Sequence, residues 1–264
     1  MSRKIILAIL VFTLAGFFMY AQDASRPVDA AVIVERSRNR IEAETVSTRF
    51  RMQISSRSGT VTERVMDQYS KKDSGGNSRS VIVFQEPATV RGTRFLTLEN
   101  QLRANDQWIF LPSLGRVRRI AAAEGSSSFV GTDFSYDDLA SVDRRTELDT
   151  HRLIREERYR DRDCYVIEST PMDTSYQYSR MLQWIDKENY VPHKVELFDR
   201  RNTQVKTLEI LELREVQGRL APIVTRMTSI AAGTSTTLNV ANLRYDDPIP
   251  EGVFTTNFLE TGRP

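Results

Sequence analysis

The residues that could carry out covalent or metal chemistry are few and scattered. His151, His193 and Cys164 are the only imidazole and thiol groups in the 264 residues. A single cysteine excludes an internal disulfide and every multi-cysteine zinc motif. The histidines could form a hydrolytic triad with a serine and with Asp149 or Glu196, but no nucleophile elbow, phosphate loop, dinucleotide fingerprint or zinc helix is present. We therefore expect no catalytic residue, no metal site and no cofactor.

Three carboxylates lie within six positions, at Asp133, Asp137 and Asp138, and could hold a metal or supply a general acid. Ser135 stands between them in a pattern typical of a helix start. The serine caps free backbone amides there, and the acids oppose the positive end of the helix dipole. Capping is therefore the favoured interpretation, and Gly131 supplies a backbone conformation ahead of the helix that other residues do not tolerate.

The first 21 residues have the layout of a secretory signal. Two basic residues, Arg3 and Lys4, precede a charge-free apolar run at 5–20, and we place cleavage after Ala21. An uncleaved anchor is the alternative, although the run is slightly shorter than the roughly 20 residues that span a bilayer. No lipidation cysteine follows. Beyond residue 21 the chain holds 35 basic and 35 acidic side chains, which argues against a nucleic-acid partner.

The remainder reads as strands with few helices. Residues 29–44 resemble an amphipathic helix whose weak apolar face contains Val32, Val34 and Ile41. From residue 50 a period of two predicts a strand, and a turn at Ser58-Gly59 leads to its partner at 61–69. Further strands are predicted at 79–84, 93–99, 107–111, 117–120, 152–158, 164–169, 181–186, 193–198, 205–213, 223–230 and 236–243.

This spacing predicts a mostly β fold with short helices, in which about eleven strands form an incomplete antiparallel barrel. The absence of crossover helices excludes a parallel βαβ sheet. Segments 80–84 and 108–111 are apolar on both faces, which requires cover on both sides of the sheet. That cover is either a helix or neighbouring strand, or a ligand with hydrocarbon tails. Cys164 lies in another apolar strand and is expected to be buried and inert.

Two motifs resemble the signature of the LolA-like family of outer membrane lipoprotein-sorting proteins. Residues 108–120 read WIFLPSLGRVRRI and residues 126–139 read SSSFVGTDFSYDDL. Residues 84–87, 91–96, 178–186 and 192–196 fit the flanking parts of the same pattern, so the resemblance covers most of the chain after the signal. It implies one domain over 22–264, a half barrel around a hydrophobic cavity with short helices as a lid.

The resemblance also implies a function and a set of site residues. Family members are periplasmic carriers that shield acyl chains while moving lipidated proteins or lipids toward the outer membrane. Arg116 and Arg118 are then candidates for contact with an anionic head group, and alternation places Arg119 on the opposite face. The candidates for lining a lipid pocket, which could equally fill a core, are Val81, Val83, Trp108, Phe110, Phe129 and Phe134.

The favoured hypothesis is a non-enzymatic carrier that passes acyl chains between an inner-membrane exporter and an outer-membrane acceptor. The mature chain is longer than the better-known lipoprotein chaperones, so its cargo is either a lipidated protein or another amphiphile. Two alternatives stay open. One is a lipid-modifying hydrolase that uses His151 or His193 as base. The other is an envelope scaffold whose barrel is filled by its own side chains.

Overall fold

The computed structural model describes residues 29–101, 105–141 and 144–264. The signal sequence predicted at residues 1–21 lies outside these ranges. Within them, thirteen strands form one antiparallel sheet. These are β1 (Thr45–Ser55), β2 (Val61–Lys72), β3 (Ser78–Glu86), β4 (Arg94–Leu98), β5 (Asp106–Leu111), β6 (Arg116–Arg119), β7 (Asp149–Tyr159), β8 (Arg162–Pro171), β9 (Arg180–Asp186), β10 (Pro192–Phe198), β11 (Gln204–Val216), β12 (Arg219–Ser229) and β13 (Thr234–Tyr245).

The order of strands in the sheet joins the two ends of the chain. It runs β6-β5-β4-β3-β2-β1-β13-β12-β11-β10-β9-β8-β7, so the first and last strands pair in the middle. Met52 of β1 stands opposite Leu238 of β13 at this seam. The mostly β, incompletely closed antiparallel architecture predicted from the sequence is confirmed. The strand number is thirteen rather than about eleven, because both strands of the first hairpin belong to the same sheet.

Three short α-helices occur in the described residues: α1 (Ala30–Arg38), α2 (Tyr136–Ser141) and α3 (Thr256–Thr261). The first is shorter than the predicted helix at 29–44, because the chain leaves the helical conformation at Asn39. The predicted apolar face is confirmed only in part, because Val34 packs beside the buried residues of the helix while Ile41 lies beyond its end. Ala30 and Ile33 are buried against β8 and β9, whereas Val32 is 41% exposed.

The sheet is strongly curved, as the contacts of α2 show. The Gln107 amide on β5 donates to the Tyr136 carbonyl (2.9 Å), and the Lys206 ammonium on β11 donates to the Asp138 carboxylate (2.6 Å). Strands β5 and β11 are seven positions apart in the sheet. In a flat sheet they would be separated by about 34 Å. Because two residues only two positions apart in one short helix reach both strands, the sheet must wrap around this helix.

The wrapped sheet has an inner face and an outer face, and each is covered by a different part of the chain. Residues 120–141, which we call the lid, lie on the inner face and contain α2. The C-terminal segment, residues 249–261, packs on the outer face over β3, β4 and β5. Strands β3 and β5 are therefore covered on both faces, as predicted. On the outer face the cover is the 3-10 turn Glu251–Phe254 together with α3.

Candidate functional site

The inner face presents a continuous apolar surface because alternate side chains of successive strands point to it. On the β1 to β5 side it carries Met52, Met66, Ile82, Phe84, Phe95 and Ile109, all of which are buried. On the β9 to β13 side it carries Met181, Leu197 and Met227, with Leu208 and Leu238 half-buried beside them. Methionines at four of these positions give the surface a flexible lining that tolerates changes in shape.

The lid fills the inner face with two phenylalanines. Phe129 is 1% exposed and its ring centroid lies 5.0 Å from that of Phe95 and 5.7 Å from that of Phe84. Phe134 packs in the other half of the barrel, in the cluster that contains Met227. One lid segment therefore bridges the apolar surfaces of both halves of the sheet.

A few buried polar contacts join the lid to the strands. The Asp133 carboxylate accepts hydrogen bonds from the hydroxyls of Thr236 (2.7 Å) and Thr234, and its backbone amide donates to the Thr236 hydroxyl (3.0 Å). All three residues lie where the lid crosses β13. Because a buried carboxylate is costly unless it is hydrogen-bonded, these two threonines fix the lid at the seam.

The second anchor is Asp138, at the start of α2. Its carboxylate accepts from the Tyr178 hydroxyl (2.7 Å), the Lys206 ammonium (2.6 Å) and the backbone amide of Ser135 (2.7 Å). The Ser135 hydroxyl in turn accepts from the Asp138 amide (3.1 Å), so the predicted helix cap is confirmed. Burial and the neighbouring Asp138 carboxylate raise the pKa of Tyr178, which keeps this hydroxyl a donor at neutral pH.

The third anchor is a cation near the start of β2. The Arg64 guanidinium donates to the Val130 carbonyl (2.5 Å) and lies 5.8 Å above the Phe84 ring centroid. Val130 and Gly131 both have positive φ, at 50° and 73°. Gly131 therefore has the backbone conformation predicted from the sequence. Burial lowers the pKa of Arg64, as expected for a cation held under a loop.

The remaining aspartate of the lid is Asp137. It is half-buried, and a Cβ placed on Gly125 would come within 2.3 Å of its Oδ1 atom, so the glycine is needed to accommodate the carboxylate. Burial, followed by repulsion from Asp138, raises the pKa of Asp137 to about 6. Among the described residues, no group of three or more histidine, cysteine, aspartate or glutamate side chains could hold a metal ion.

The structure divides the residues predicted to bind lipid between the two faces. Phe129 and Phe134 lie on the inner face under the lid. The other four pack on the outer face against the C-terminal segment, where Leu259 is fully buried; they are Val81, Val83, Trp108 and Phe110. One pocket cannot contain both sets, because the sheet separates them. A role in lipid binding stays a prediction for all six.

The arginines of β6 alternate as predicted. Arg116 and Arg118 stand opposite Leu111 and Ile109, on the inner side, and Arg119 stands opposite Trp108 on the outer side. Arg118 donates to both carboxylate oxygens of Glu124, at 2.8 and 2.9 Å, and Arg119 pairs with Asp106. Arg116 is exposed at the turn. Head-group contact by Arg116 and Arg118 stays a prediction.

The two histidines are engaged in buried hydrogen bonds. His151 Nδ1 lies 2.8 Å from the Ser169 hydroxyl, and its Nε2 lies 2.9 Å from the Thr146 carbonyl. Ser169 also accepts from the Gln183 amide (2.7 Å) and is fully buried, so its oxygen is not accessible as a nucleophile. His193 lies 3.3 Å from Asp186, and burial lowers its pKa. The sequence analysis had no signal for these partners, because none of them belongs to a recognisable motif.

Cys164 is fully buried, as predicted, and burial raises the pKa of its thiol to about 11. Two depressions in the described part of the chain, of about 450 and 270 Å³, are lined mainly by charged side chains. The first is lined by Glu42, Lys72 and Arg219, among others. The apolar inner face is thus closed by the lid in this structure. Among the helices of the described residues, none is long and apolar enough to cross a membrane.

The fold and the site define a half barrel whose apolar inner face is covered by a polar-anchored lid. A family model described as that of an uncharacterized protein matches residues 76–261, and no curated protein matches the sequence. The chain belongs to the family that this model describes, and its fold is LolA-like.

Solved structures support this assignment. A domain from Vibrio parahaemolyticus named for outer membrane lipoprotein sorting is 29% identical, with a TM-score of 0.82 over 88% of this chain and 98% of that one. A DUF1329 family protein from Desulfovibrio piger is 28% identical, with a TM-score of 0.83 over 87% and 97%. A LolA superfamily protein from Nitrosomonas europaea, at 22% identity, shares the fold with a TM-score of 0.70 over 88% and 99%.

Proposed function

We propose that this protein is a periplasmic, non-enzymatic carrier that shields the acyl chains of lipids or lipidated proteins on the inner face of its half barrel. It would receive them from an inner-membrane exporter and deliver them to an outer-membrane acceptor. The observation that carries the proposal is the lid. Its Phe129 and Phe134 cover an apolar surface shared by both halves of the sheet, and polar side chains at defined points hold it there.

The arrangement suits exchange of one apolar occupant for another. Burial of hydrocarbon contributes about 25 cal/mol per Å² removed from water. When an acyl chain displaces Phe129, the net binding free energy is only the difference between the free energy of burying the chain and that of burying the ring. Binding is therefore moderate, and the returning lid helps to expel the cargo. A carrier needs both properties, since a chain held too tightly cannot be delivered.

The proposal can be tested with a variant in which a disulfide holds the lid on the sheet when it is oxidised and frees the lid when it is reduced. Asp133 and Thr236 are in direct side-chain contact, so the double substitution Asp133→Cys and Thr236→Cys places one thiol on the lid and one on β13. The native Cys164 is buried and does not interfere. We expect the oxidised form to take up a fluorescent fatty acid at least tenfold less well than the reduced form. Equal uptake by the two forms would reject lid displacement.

The same protein provides its own control, because the two forms differ by one covalent bond. Mass spectrometry of organic extracts from the unsubstituted protein, purified from a membrane-containing host, would identify the class of cargo. A fully folded parent that holds no lipid and takes up none from solution would contradict the carrier.

A self-filled envelope scaffold is the second candidate, and one observation favours it: the inner face is already covered by the chain's own side chains. The two candidates differ in the exchange behaviour of the lid. A scaffold has no need to open, so backbone amides of residues 127–139 would exchange with deuterium as slowly as those of β1. A carrier requires faster exchange in the lid than in β1.

A further inference from the structure

The exposed apolar side chains of this protein are concentrated at one end of the sheet. Neighbouring strands are antiparallel, so the turns that follow β1, β3, β5, β8, β10 and β12 all lie at the same end, which we call the rim. Among the described residues, five large apolar side chains are strongly exposed. Four of them lie at the rim and are 46–59% exposed: Val61, Leu114, Met172 and Ile230.

The rim turns are also basic. They comprise residues 56–60, 87–92, 112–115, 172–179, 199–203 and 230–233, and contain four arginines, two aspartates and no lysine or glutamate. Within the described part of the chain, Arg57 and Arg200 form no ion pair, and Arg116 beside the third turn forms none either. Both aspartates are used locally, since Asp173 and Asp199 accept hydrogen bonds from the backbone of their own turns.

Contacts between the turns place two pairs of them side by side. A Cβ on Gly233 would lie 3.3 Å from the Arg57 side chain, which places the turn after β12 against the turn after β1. A Cβ on Gly92 would lie 3.4 Å from Pro112, which places the turns after β3 and β5 side by side. Just below the rim, Glu63 and Glu86 line a pocket with Arg51 and Arg64, which offset these two acids and leave the charge of the rim turns uncancelled.

Helix α1 runs from the rim side toward the opposite end of the sheet. Its last turn contacts the end of the sheet opposite the rim, where Arg36 donates to the Tyr190 hydroxyl (2.7 Å) and Arg38 pairs with Glu99. The helix therefore begins on the rim side, at Asp29. The charge-free run at residues 5–20 precedes that point in the chain.

We propose that the rim docks on the surface of an anionic phospholipid bilayer. Exposed apolar side chains at turn tips enter the head-group region, and arginines beside them contact lipid phosphates, as at other protein surfaces that bind membranes peripherally. The inference rests on the proposed carrier function, for which it names the donor or acceptor surface. Docking by the rim brings the Arg64 and Val130 end of the lid next to the lipid.

The experiment is sedimentation of the full protein with vesicles of phosphatidylglycerol and phosphatidylethanolamine, compared with vesicles of phosphatidylcholine alone. We expect binding to the anionic vesicles that weakens in high salt. The double substitution Arg57→Gln and Arg200→Gln should lower binding about 30-fold, since each arginine near an anionic surface contributes about fivefold. Leu114→Ser combined with Ile230→Ser should also lower it several-fold.

The matched control is Arg158→Gln combined with Arg244→Gln, which removes two exposed arginines from the opposite end of the sheet and should leave binding unchanged. Uptake of a soluble fluorescent fatty acid is measured on every variant. Rim variants that keep this uptake but lose vesicle binding support docking separately from carriage. A parent protein that does not bind anionic vesicles, or rim and control variants that bind equally, would overturn the docking proposal whatever the uptake shows. Crosslinking to a membrane protein that the rim substitutions abolish while vesicle binding persists would overturn it as well.

Discussion

At the scale of single residues, Asp137 has the most perturbed carboxyl group of the lid. It is half-buried next to Gly125, beside the charged Asp138, and its pKa is raised to about 6. In the unfolded chain the same group titrates near 3.8. The native state therefore binds more protons between these two values, and the free energy of unfolding falls as pH rises through that window.

Replacing this carboxyl with a neutral amide should relieve the penalty. We expect Asp137→Asn to raise the free energy of unfolding at pH 8 by about 1–2 kcal/mol, a figure reduced for partial exposure of the group. The gain should disappear at pH 4, where the native carboxyl is itself neutral. Urea denaturation at the two pH values measures the difference. A gain of the same size at both would show that the charge of Asp137 is not its cause.

At the scale of elements, the C-terminal segment supports the sheet from outside. Leu259 of α3 is fully buried against β3, β4 and β5, on the face away from the lid. Leu259→Ala should lower the free energy of unfolding by about 2–4 kcal/mol, because a cavity is left beneath α3. The matched control is Leu114→Ala, which is 53% exposed in the native protein and should cost less than about 0.5 kcal/mol.

The same variant separates the two faces of the sheet functionally. If the inner face alone holds cargo, folded Leu259→Ala protein should take up a fluorescent fatty acid as well as the parent. A selective loss of uptake in the folded variant would show that the outer face takes part in binding.

The elements also show how far the sequence could be interpreted. Alternation predicted the strands and the opposite placement of Arg118 and Arg119. It could not assign Trp108 and Ile109 to a face, since both faces of that strand are apolar. The C-terminal cover was not predicted because six residues of helix are too few to show a period. The anchors of the lid, such as Asp133 with Thr236, join residues 103 positions apart, a pairing that no local pattern encodes.

At the scale of the whole molecule, the seam between β1 and β13 makes two half sheets into one. Trp108 lies in the half that contains β5 and Trp184 in the half that contains β9. We expect each of the single-tryptophan variants Trp108→Phe and Trp184→Phe to unfold with the same midpoint by fluorescence as by far-ultraviolet circular dichroism, because the lid and the seam couple the halves. Fluorescence of the remaining tryptophan reports each half in turn. A fluorescence midpoint that differs from the circular dichroism midpoint of the same variant would mean that the halves unfold independently.

The order of strands around the seam also determines which strands can pair while the chain is being synthesised. As the polypeptide emerges with its amino end first, β1 to β6 can pair in sequence, but the far edge of β1 has no neighbour until the last strand arrives. An unpaired edge invites association with other chains. Closing it joins residues almost 200 positions apart, a slow step in folding. Newly made chains should therefore need a holding chaperone until synthesis has passed residue 245.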